Sequence, residues 1–343
     1  MQPNRGAVLD ALIKSEEPSI RWKALVRIAG EDPQSQKIKT LQEEIRNSAR
    51  VTTLLAGRDK RPIREANVEA SYRGAHWTFA LLADIGYPAG DESLFFMRDQ
   101  ILDRWLAPRF YKEFESTVSV PKSRSAEGVP IIRGRYRRCA SQQGNALLSL
   151  TKLGLLNKRS DALVERLLHW QWPDGGWNCD RKPSADTSSF QETWLAMLGL
   201  NAYAERNDHR VAGEAALRAA EVFLSRRLYK RRSTGKVIHL NLLMQHYPRF
   251  WHYDVLGGLV AMTETGLIND PRCQDALNLL EKRELPKGGW SADGQFYKVS
   301  SDTDTSSRFG STCPVNWGGS NRHRMNEWVT ADALYVLHAA GRA

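Results

Sequence analysis

Residues 168–180 read Leu-His-Trp-Gln-Trp-Pro-Asp-Gly-Gly-Trp-Asn-Cys-Asp, and residues 187–198 read Thr-Ser-Ser-Phe-Gln-Glu-Thr-Trp-Leu-Ala-Met-Leu. This pattern predicts a helix that ends at Trp170, a sharp turn through Gly175 and Gly176, and a second apolar helix after a polar link. Glycine permits the positive φ that such a turn requires, and Trp177 is large enough to anchor the turn against neighbouring helices. A weaker copy at residues 279–290, Leu-Leu-Glu-Lys-Arg-Glu-Leu-Pro-Lys-Gly-Gly-Trp, indicates a helical repeat.

The composition describes a chain that can bury a large core. Its 343 residues are 41% hydrophobic and 26% charged, which suits one large domain or two modest ones. The sequence contains no apolar run of about 18 residues, so no membrane span is expected, and no apolar stretch follows the first residues as it would in a secretory signal. We therefore expect a cytoplasmic protein.

The four cysteines, Cys139, Cys179, Cys273 and Cys313, are far apart and form no CxxC pair. This spacing favours reduced thiols in a cytoplasmic protein. A thiolate metal site assembled in space from distant cysteines stays open as the alternative.

The net charge of +10 permits attraction to nucleic acid, anionic lipid, anionic sugars or phosphates. No basic face interleaved with aromatic residues is present, so no nucleic-acid partner is predicted. The eleven tryptophans lie near glycine turns and helix starts. That placement is typical of a helical array with aromatic anchors or of an aromatic-lined cavity.

The hydrophobic periodicity predicts an all-α protein of helical hairpins. Residues 1–62 are interpreted as an N-terminal helical cap, and residues 63–343 as the repeat domain. The predicted hairpins pair 72–86 with 92–106, 136–153 with 160–170, 187–204 with 212–228, and 250–265 with 270–283, before a last helix at 327–340.

In each hairpin the first helix is apolar nearly all round and the second is amphipathic. A helix that is apolar on every side is buried, whereas an amphipathic helix has one face in water. Alternating buried and surface helices predict an α/α toroid, a barrel with an inner and an outer ring. An open α-solenoid also stacks helix pairs, but the long, unequal links at 108–134 and 291–325 favour the barrel.

The turn at Gln171, Asp174, Gly175, Gly176 and Trp177 resembles the QW motif of squalene cyclases and the Gly-Gly-aromatic turns of protein prenyltransferase β subunits. Over residues 70–341 the chain is similar to the small single-domain bacterial squalene-cyclase-like proteins of this α/α toroid superfamily. The resemblance implies a toroid fold and an enzyme that handles isoprenoids.

The catalytic signatures of that superfamily are incomplete in this chain. Class II terpene cyclases protonate their substrate with a DxDD acid, and the nearest match, Asp302-Thr303-Asp304-Thr305, lacks the final aspartate. The Asp-x-Cys pair of the prenyltransferase zinc site does not occur, and Cys139-Ala140-Ser141-Gln142 keeps only the Cys-to-Gln spacing of thioester toroids. No P-loop or dinucleotide fingerprint occurs. No metal ligand and no cofactor are therefore predicted.

Polar residues precede each predicted inner helix, and in a toroid these helix starts converge on one rim. Helix N-termini favour anions through unpaired N–H groups and the helix dipole, so a rim rich in arginine and histidine predicts a pocket for an anionic ligand. The alternative is that each arginine is exposed or pairs with a nearby acid. The residues predicted to bind substrate are Tyr72, Arg73, Trp77, Arg135, Tyr136, Arg138, Arg249, Trp251, Arg322 and His323.

Five rim residues are candidates for proton transfer, namely His76, His252, Tyr253, Asp254 and Glu192. Residues 252–254 place an imidazole, a phenol and a carboxylate within one helical turn, and such groups supply a base, a proton donor and an orienting partner. A lone histidine is more often a structural residue. The basic run 226–232 ends an outer helix and is interpreted as a solvated helix end, because cations suit a helix C-terminus.

Three functions fit these features. The resemblance favours an isoprenoid-handling enzyme whose aromatic cavity holds the hydrocarbon and whose basic rim holds a diphosphate. A lyase or hydrolase acting on uronate-containing glycans is the alternative, since arginine, histidine and tyrosine neutralise the carboxylate and move protons. A binding or scaffold toroid without catalysis is the third. The expected partner is an anionic small molecule or oligosaccharide.

Overall fold

A computed structural model describes residues 4–56, 71–121, 128–300 and 311–343. The α-helices in these ranges are α1 (Arg5–Ile13), α2 (Pro18–Trp22, continued by a π-helical segment, Lys23–Ile28), α3 (Gln36–Arg46), α4 (Ala49–Leu55), α5 (Ala75–Asp84), α6 (Phe95–Leu106), α7 (Ala140–Lys152), α8 (Lys158–His169), α9 (Phe190–Asn207), α10 (Arg210–Leu224), α11 (Val255–Glu264), α12 (Gln274–Lys282) and α13 (Glu327–Ala339).

Five of these helices form consecutive neighbours in an inner ring. Helix α5 packs on α7, α7 on α9, α9 on α11, and α11 on α13. The π-helical segment 23–28 packs on α13 and is tied to the end of α5 by the ion pair between Lys23 and Asp84. The ring is therefore closed by six inner segments.

The outer helices lie against this ring. Helix α6 packs on α5 and α8, α8 on α7 and α10, α10 on α9, and α12 on α11. Inner helix α7 buries ten of its thirteen residues, whereas outer helix α8 buries four of its twelve. This alternation confirms the predicted all-α toroid, because only the inner helices are covered on every side.

Four of the inner helices begin later than the sequence predicts, whereas α13 begins at Glu327 as predicted. A helix was predicted to begin at Tyr136, but this residue belongs to strand β3 (Arg135–Tyr136), and α7 begins at Ala140. Helix α11 likewise begins at Val255 rather than at Phe250. Several polar rim residues, among them Arg135, Tyr136 and Arg249, therefore lie in turns and extended segments before the helices.

Short strands occupy the long links that were interpreted as loops. Strand β2 (Val129–Ile132) pairs in parallel with β1 (Glu113–Glu115) and antiparallel with β3. Strand β4 (Lys298–Val299) pairs in parallel with β5 (Thr312–Cys313). These strands are too short to give a clear period-2 pattern.

The Gly-Gly turn after α8 is held by backbone and indole hydrogen bonds. The indole nitrogen of Trp177 donates to Leu167 O at 3.0 Å, and the backbone nitrogen of Trp177 contacts Thr193 Oγ1 at 3.2 Å. Gly175 has a φ of +96°, and a Cβ there would lie 2.3 Å from the carbonyl oxygen of Arg218. The turn needs glycine at this position both for the dihedral and for the close approach of α10.

The second Gly-Gly turn repeats the same bonds. The indole nitrogen of Trp290 donates to Leu280 O at 2.8 Å, and its backbone nitrogen contacts Thr330 Oγ1 at 2.9 Å. In each turn the tryptophan ring is buried between the end of one outer helix and the start of the next inner helix. The repeat predicted from the two sequence stretches is thus a structural repeat.

The N-terminal helices share the main hydrophobic core with the ring. Val8, Leu12, Ile20 and Leu54 belong to the same buried cluster as residues of α5, α9 and α13. The predicted boundary between residues 62 and 63 lies outside the described residues and stays a prediction. Across the described ranges, no helix has the length and apolar character that a membrane crossing requires.

Candidate functional site

A cavity of about 480 Å³ lies beside the segments that lead into α9 and α11. Its wall is formed by residues 187–191, by the chain that follows α10, by residues 252–253 and by Phe296. The lining residues are Thr187, Ser188, Ser189, Phe190, Gln191, Arg226, Ile238, His239, Asn241, Leu242, His252, Tyr253 and Phe296. The predicted catalytic residues His252 and Tyr253 both reach it.

His252 is held in place by aromatic rings and one hydrogen bond. Its ring stacks on Trp251 at 4.1 Å and on Phe296 at 4.2 Å between centroids. Its Nε2 lies 3.0 Å from the hydroxyl oxygen of Tyr72. Burial, and then the neighbouring His246, lower the pKa of His252 to about 4. The imidazole is therefore neutral near pH 7.

Arg226 supplies the cation of the cavity wall. One guanidinium nitrogen donates to Val222 O at 2.9 Å, and the guanidinium carbon lies 6.0 Å from the centroid of the Phe190 ring. Within the described part of the chain, no carboxylate lies within 4.0 Å of this half-buried group. Asp174 interacts with Arg226 electrostatically, while its carboxylate accepts the backbone and hydroxyl hydrogen bonds of Ser188. Arg226 is thus available to an anion.

The side chains of Tyr253 and Asp254 both form hydrogen bonds with backbone groups. The Tyr253 hydroxyl donates to Leu228 O at 2.8 Å, and burial, with Asp254, raises its pKa well above the usual value. The Asp254 carboxylate caps α11 through Gly257 N. Burial would raise the pKa of Asp254, but Arg249 and His246 outweigh it and lower that pKa to about 2.

His76 lies in the core rather than in the cavity. Its side chain is 1% exposed, and Trp105 donates to its Nδ1 at 3.3 Å, while Asn145 lies 3.0 Å from its Nε2. Burial lowers the pKa of His76 to about 3. Both ring nitrogens have partners, which is typical of a structural histidine.

The inside of the ring holds a set of paired charges, which we name the interior ion network. Asp332 on α13 binds Lys23 at 3.0 Å and Arg249 at 2.7 Å. Lys23 also binds Asp84 at 2.7 Å. The network comprises the cations Lys23, Arg27, Lys152 and Arg249 and the carboxylates Asp84, Asp254, Glu264 and Asp332.

The interior ion network is formally neutral and joins inner segments that face one another. Glu264 at the end of α11 binds Arg27 at 2.5 Å and Lys152 of α7 at 3.3 Å. Burial would raise the pKa of Asp84, but Lys23 and Arg27 outweigh it and hold that pKa below its usual range. None of these side chains lines the aromatic-lined cavity.

The predicted substrate-binding residues are divided among several places. Tyr72 and Trp251 both contact His252. Trp77 packs edge-on against Tyr72. Arg249 belongs to the interior ion network.

The other predicted binding residues have different neighbours. Arg73 binds the backbone oxygen of Ser300. Arg135 lies over the ring of Trp172, Arg138 over Phe110, and Tyr136 packs on His169. Arg322 and His323 are exposed. The predicted single rim is thus resolved into separate groups, while the individual binding roles stay predictions.

Glu192 lies beside two cysteines. Its Oε2 accepts from the backbone nitrogen and hydroxyl of Ser141 at 3.1 and 3.0 Å. One potential ligand atom from each of Cys139, Cys179 and Glu192 lies within 4.8 Å of the others. Contact with Cys139 and then burial raise the pKa of the Cys179 thiol, and burial raises the pKa of Glu192. This is the grouping of described residues that could hold a metal ion.

Of the residues that line the cavity, only His252 and Tyr253 were predicted as site residues, and Arg226 and Phe296 are two of those that sequence reasoning missed. Arg226 belongs to the basic run that was interpreted as a solvated helix end, and its bond to Val222 O agrees with that interpretation in part. The sequence signal that could have identified Arg226 as a cavity residue was its position next to the apolar end of α10. Phe296 lies in the link 291–325, where no periodicity marked it.

A smaller cleft of about 290 Å³ lies at the opposite ends of α7, α9 and α11. Its charged residues include Lys152 and Glu264, which already pair with each other. The lining of this cleft also includes Arg206 but no aromatic residue, and we regard the aromatic-lined α9–α11 cavity as the candidate site. The acidic loop at Asp302-Thr303-Asp304-Thr305 lies outside the described residues.

No protein-family model matches the chain, and no curated protein matches it. Among solved structures, the chain is similar to a variant of the type II terpene cyclase MstE from Scytonema in complex with its substrate, geranylgeranyl dihydroxybenzoate. The identity is 15%, the alignment covers 98% of this chain and 99% of that one, and the TM-score is 0.41. A score this low carries no argument, so the toroid is assigned from the helix contacts of this chain.

Proposed function

We propose that the protein is a toroid enzyme that binds an anionic isoprenoid, such as a prenyl diphosphate, in the cavity beside α9 and α11. The carrying observation is Arg226, a half-buried cation at an aromatic-lined cavity with no carboxylate partner among the described residues. Partial burial lowers the pKa of Arg226, and an anion bound beside the guanidinium would favour its charged form. A diphosphate supplies that anion.

The remaining wall suits the organic part of such a ligand. Phe190, Leu242 and Phe296 present apolar surface to the cavity. A volume of about 480 Å³ falls within the range of roughly 300–1,000 Å³ that is common for small-molecule sites. Polar groups at one edge and aromatic surface at the other would orient an amphipathic ligand.

The pair Tyr72–His252 is the proposed proton-transfer group. His252 reaches the cavity, is neutral near pH 7, and is hydrogen-bonded to the phenol at 3.0 Å. The lowered pKa makes neutral His252 a weak base and its protonated form a strong acid, so the pair would serve mainly to pass a proton to the ligand.

An acidic glycan is the second candidate ligand. The observation that favours it is the polar content of the wall, where Gln191, Asn241 and His239 lie beside Arg226. A uronate lyase needs a cation for the sugar carboxylate and a base for the C5 proton, and Arg226 with His252 would fill those roles.

The test is a thermal-shift titration with farnesyl diphosphate, inorganic diphosphate, farnesol and uronate oligosaccharides. A ligand at 100 times its Kd stabilises the folded state by about 2.7 kcal/mol. We expect farnesyl diphosphate to stabilise more than inorganic diphosphate or farnesol alone. The shift should be lost in Arg226→Ala and retained in Arg232→Ala, an exposed arginine of the same basic run.

Stabilisation by uronates alone would replace the isoprenoid proposal with the glycan candidate. Stabilisation that is equal in the Arg226→Ala and wild-type proteins would move the ligand away from this cavity. The absence of any shift would favour the scaffold interpretation.

A further inference from the structure

Three side chains of metal-ligand type meet where α7 and α9 begin. Cys139 immediately precedes α7, Glu192 lies in the first turn of α9, and Cys179 lies on the link between Trp177 and α9. We name these residues the Cys–Cys–Glu cluster. Within the ranges that the structure describes, no other group of three His, Cys, Asp or Glu side chains comes together in this way.

The backbone brings the two cysteines together before any metal is considered. An isolated parallel bridge joins Arg137 to Asn178, so the residues that follow on the two segments run side by side. The Arg137 guanidinium ties the same link down by donating to Asp180 O at 3.1 Å and to Ala185 O at 2.6 Å. The thiols are thus positioned by a rigid frame rather than by a free loop.

The carboxylate of the cluster is also oriented. Both hydrogen bonds from Ser141 go to Oε2 of Glu192, and Oε1 receives neither. Outer hydrogen bonds of this kind fix a ligand's orientation and raise its affinity for metal. Arg138 is close enough to interact electrostatically with Glu192, and its positive charge would offset part of the negative charge of two thiolates and a carboxylate.

The spacing fits a tetrahedral ion. Zinc bonds of about 2.3 Å to sulfur and about 2.0–2.2 Å to oxygen place two ligand atoms roughly 3.5–4 Å apart. The three ligand atoms here all lie within 4.8 Å of one another, so small side-chain rotations would complete the geometry. Two thiolates favour zinc over magnesium or calcium, which prefer oxygen ligands.

We propose that Cys139, Cys179 and Glu192 bind one zinc ion. Three protein ligands leave the fourth tetrahedral position open to water or to a ligand, as in zinc sites that take part in chemistry. Residues 187–191 line the cavity and lead directly into Glu192, which puts the cluster in the neighbourhood of the candidate site. The zinc proposal stands on the cluster alone and does not depend on the isoprenoid ligand.

The experiment measures metal content and coordination in the purified full chain. We expect about one zinc per chain after zinc loading and dialysis, with a loss of tenfold or more in affinity for Cys139→Ser, Cys179→Ser and Glu192→Gln. Cobalt added to the metal-free protein should give a thiolate-to-cobalt charge-transfer band and strong visible bands typical of tetrahedral coordination. Both bands should vanish in the cysteine variants.

Cys273→Ser is the matched control, because Cys273 is a buried thiol outside the cluster. It should retain wild-type zinc content and cobalt bands. Circular dichroism of each variant separates loss of metal from loss of fold, and Glu192→Gln keeps an oxygen for the Ser141 bonds if the Cys variants fail to fold.

Two results would overturn the proposal. One is wild-type protein that holds no more zinc than the Cys139→Ser/Cys179→Ser double variant, with no cobalt charge-transfer band. The other is a thiol titration of freshly purified, denatured protein that counts two of the four thiols, with mass spectrometry assigning a Cys139–Cys179 disulfide instead.

Discussion

The interior ion network and the α9–α11 cavity each contain an arginine, but the two arginines have different partners. Arg249 binds Asp254 at 3.2 Å and Asp332 at 2.7 Å. Arg226 binds only a helix carbonyl, and among the described residues no carboxylate lies within ion-pair distance.

This difference separates a structural charge from one that is available to a ligand. A buried cation with two carboxylates is compensated inside the fold, and removing one partner is strongly destabilising. A half-buried cation without a carboxylate contributes little to stability and attracts anions from outside. The number of carboxylate partners, rather than the residue type, therefore distinguishes the two regions.

The largest expected effect is from Asp332→Asn. Asp332 is 1% exposed and forms ion pairs with both Lys23 and Arg249. Replacing it by asparagine removes the negative charge that compensates these two cations. We expect the free energy of unfolding to fall by about 3–5 kcal/mol in urea denaturation. The control is Asp275→Asn, at a more exposed pair with Lys230, where about 1 kcal/mol or less is expected. Equal losses in the two variants would mean that the interior ion network is not structural.

A smaller loss is expected for Asp174→Ala. Asp174 accepts two hydrogen bonds from Ser188, at 2.7 and 2.6 Å, and so holds the cavity wall onto the Gly-Gly turn. Hydrogen bonds to a charged group contribute about 1.5–3 kcal/mol, and we expect a loss in that range by chemical denaturation. Ligand affinity should fall with it. Unchanged affinity would show that Ser188 does not shape the site.

The cavity arginine should matter little for stability. Arg226→Ala removes one bond to a helix carbonyl and a favourable charge at the helix end, for which we expect about 0.3–1 kcal/mol. Arg249→Ala measured in the same denaturation series should cost several times more. Similar losses for the two arginine variants would erase the distinction between the regions.

The cavity residue His252 and the network residue Asp254 should make the free energy of unfolding depend on pH in different pH ranges. The folded pKa of His252 is about 4, below the ordinary 6.5, so the unfolded chain binds more protons between these values and stability falls as pH drops from 6.5 to 4. His76, with a folded pKa of about 3, adds to this fall. Asp254 has a folded pKa of about 2, so its contribution is present above pH 4 and is lost below.

The measurement is the free energy of unfolding against pH for wild type and His252→Gln. We expect a shallower fall between pH 6.5 and 4 in the variant and an unchanged fall below pH 4. The exposed His323→Gln serves as the control. An identical profile for wild type and His252→Gln would indicate that His252 is not shielded from solvent in the folded state.

Much of the fold could be predicted from the chain because local pattern and tertiary packing agree. The Trp177 and Trp290 turns are defined by glycines and indoles that short stretches of sequence reveal. The helix starts were less predictable, because Arg135 and Tyr136 have no pattern that distinguishes a strand of two residues from a first helical turn. The clustering of His252 with Tyr72 joins residues 180 positions apart, and no spacing rule connects them.

The sequence by itself determined the all-α class, the alternation of inner and outer helices and the repeated Gly-Gly-Trp turn, since each follows from hydrophobic periodicity and glycine dihedrals within a short window. Only the tertiary structure decided which charges are compensated. The sequence did not reveal that Arg249 has two carboxylate partners and Arg226 none within ion-pair distance among the described residues, and Cys139, Cys179 and Glu192 lie on three separate segments. Electrostatic compensation and metal coordination act across a few ångströms of space, and those distances exist only once the ring has closed.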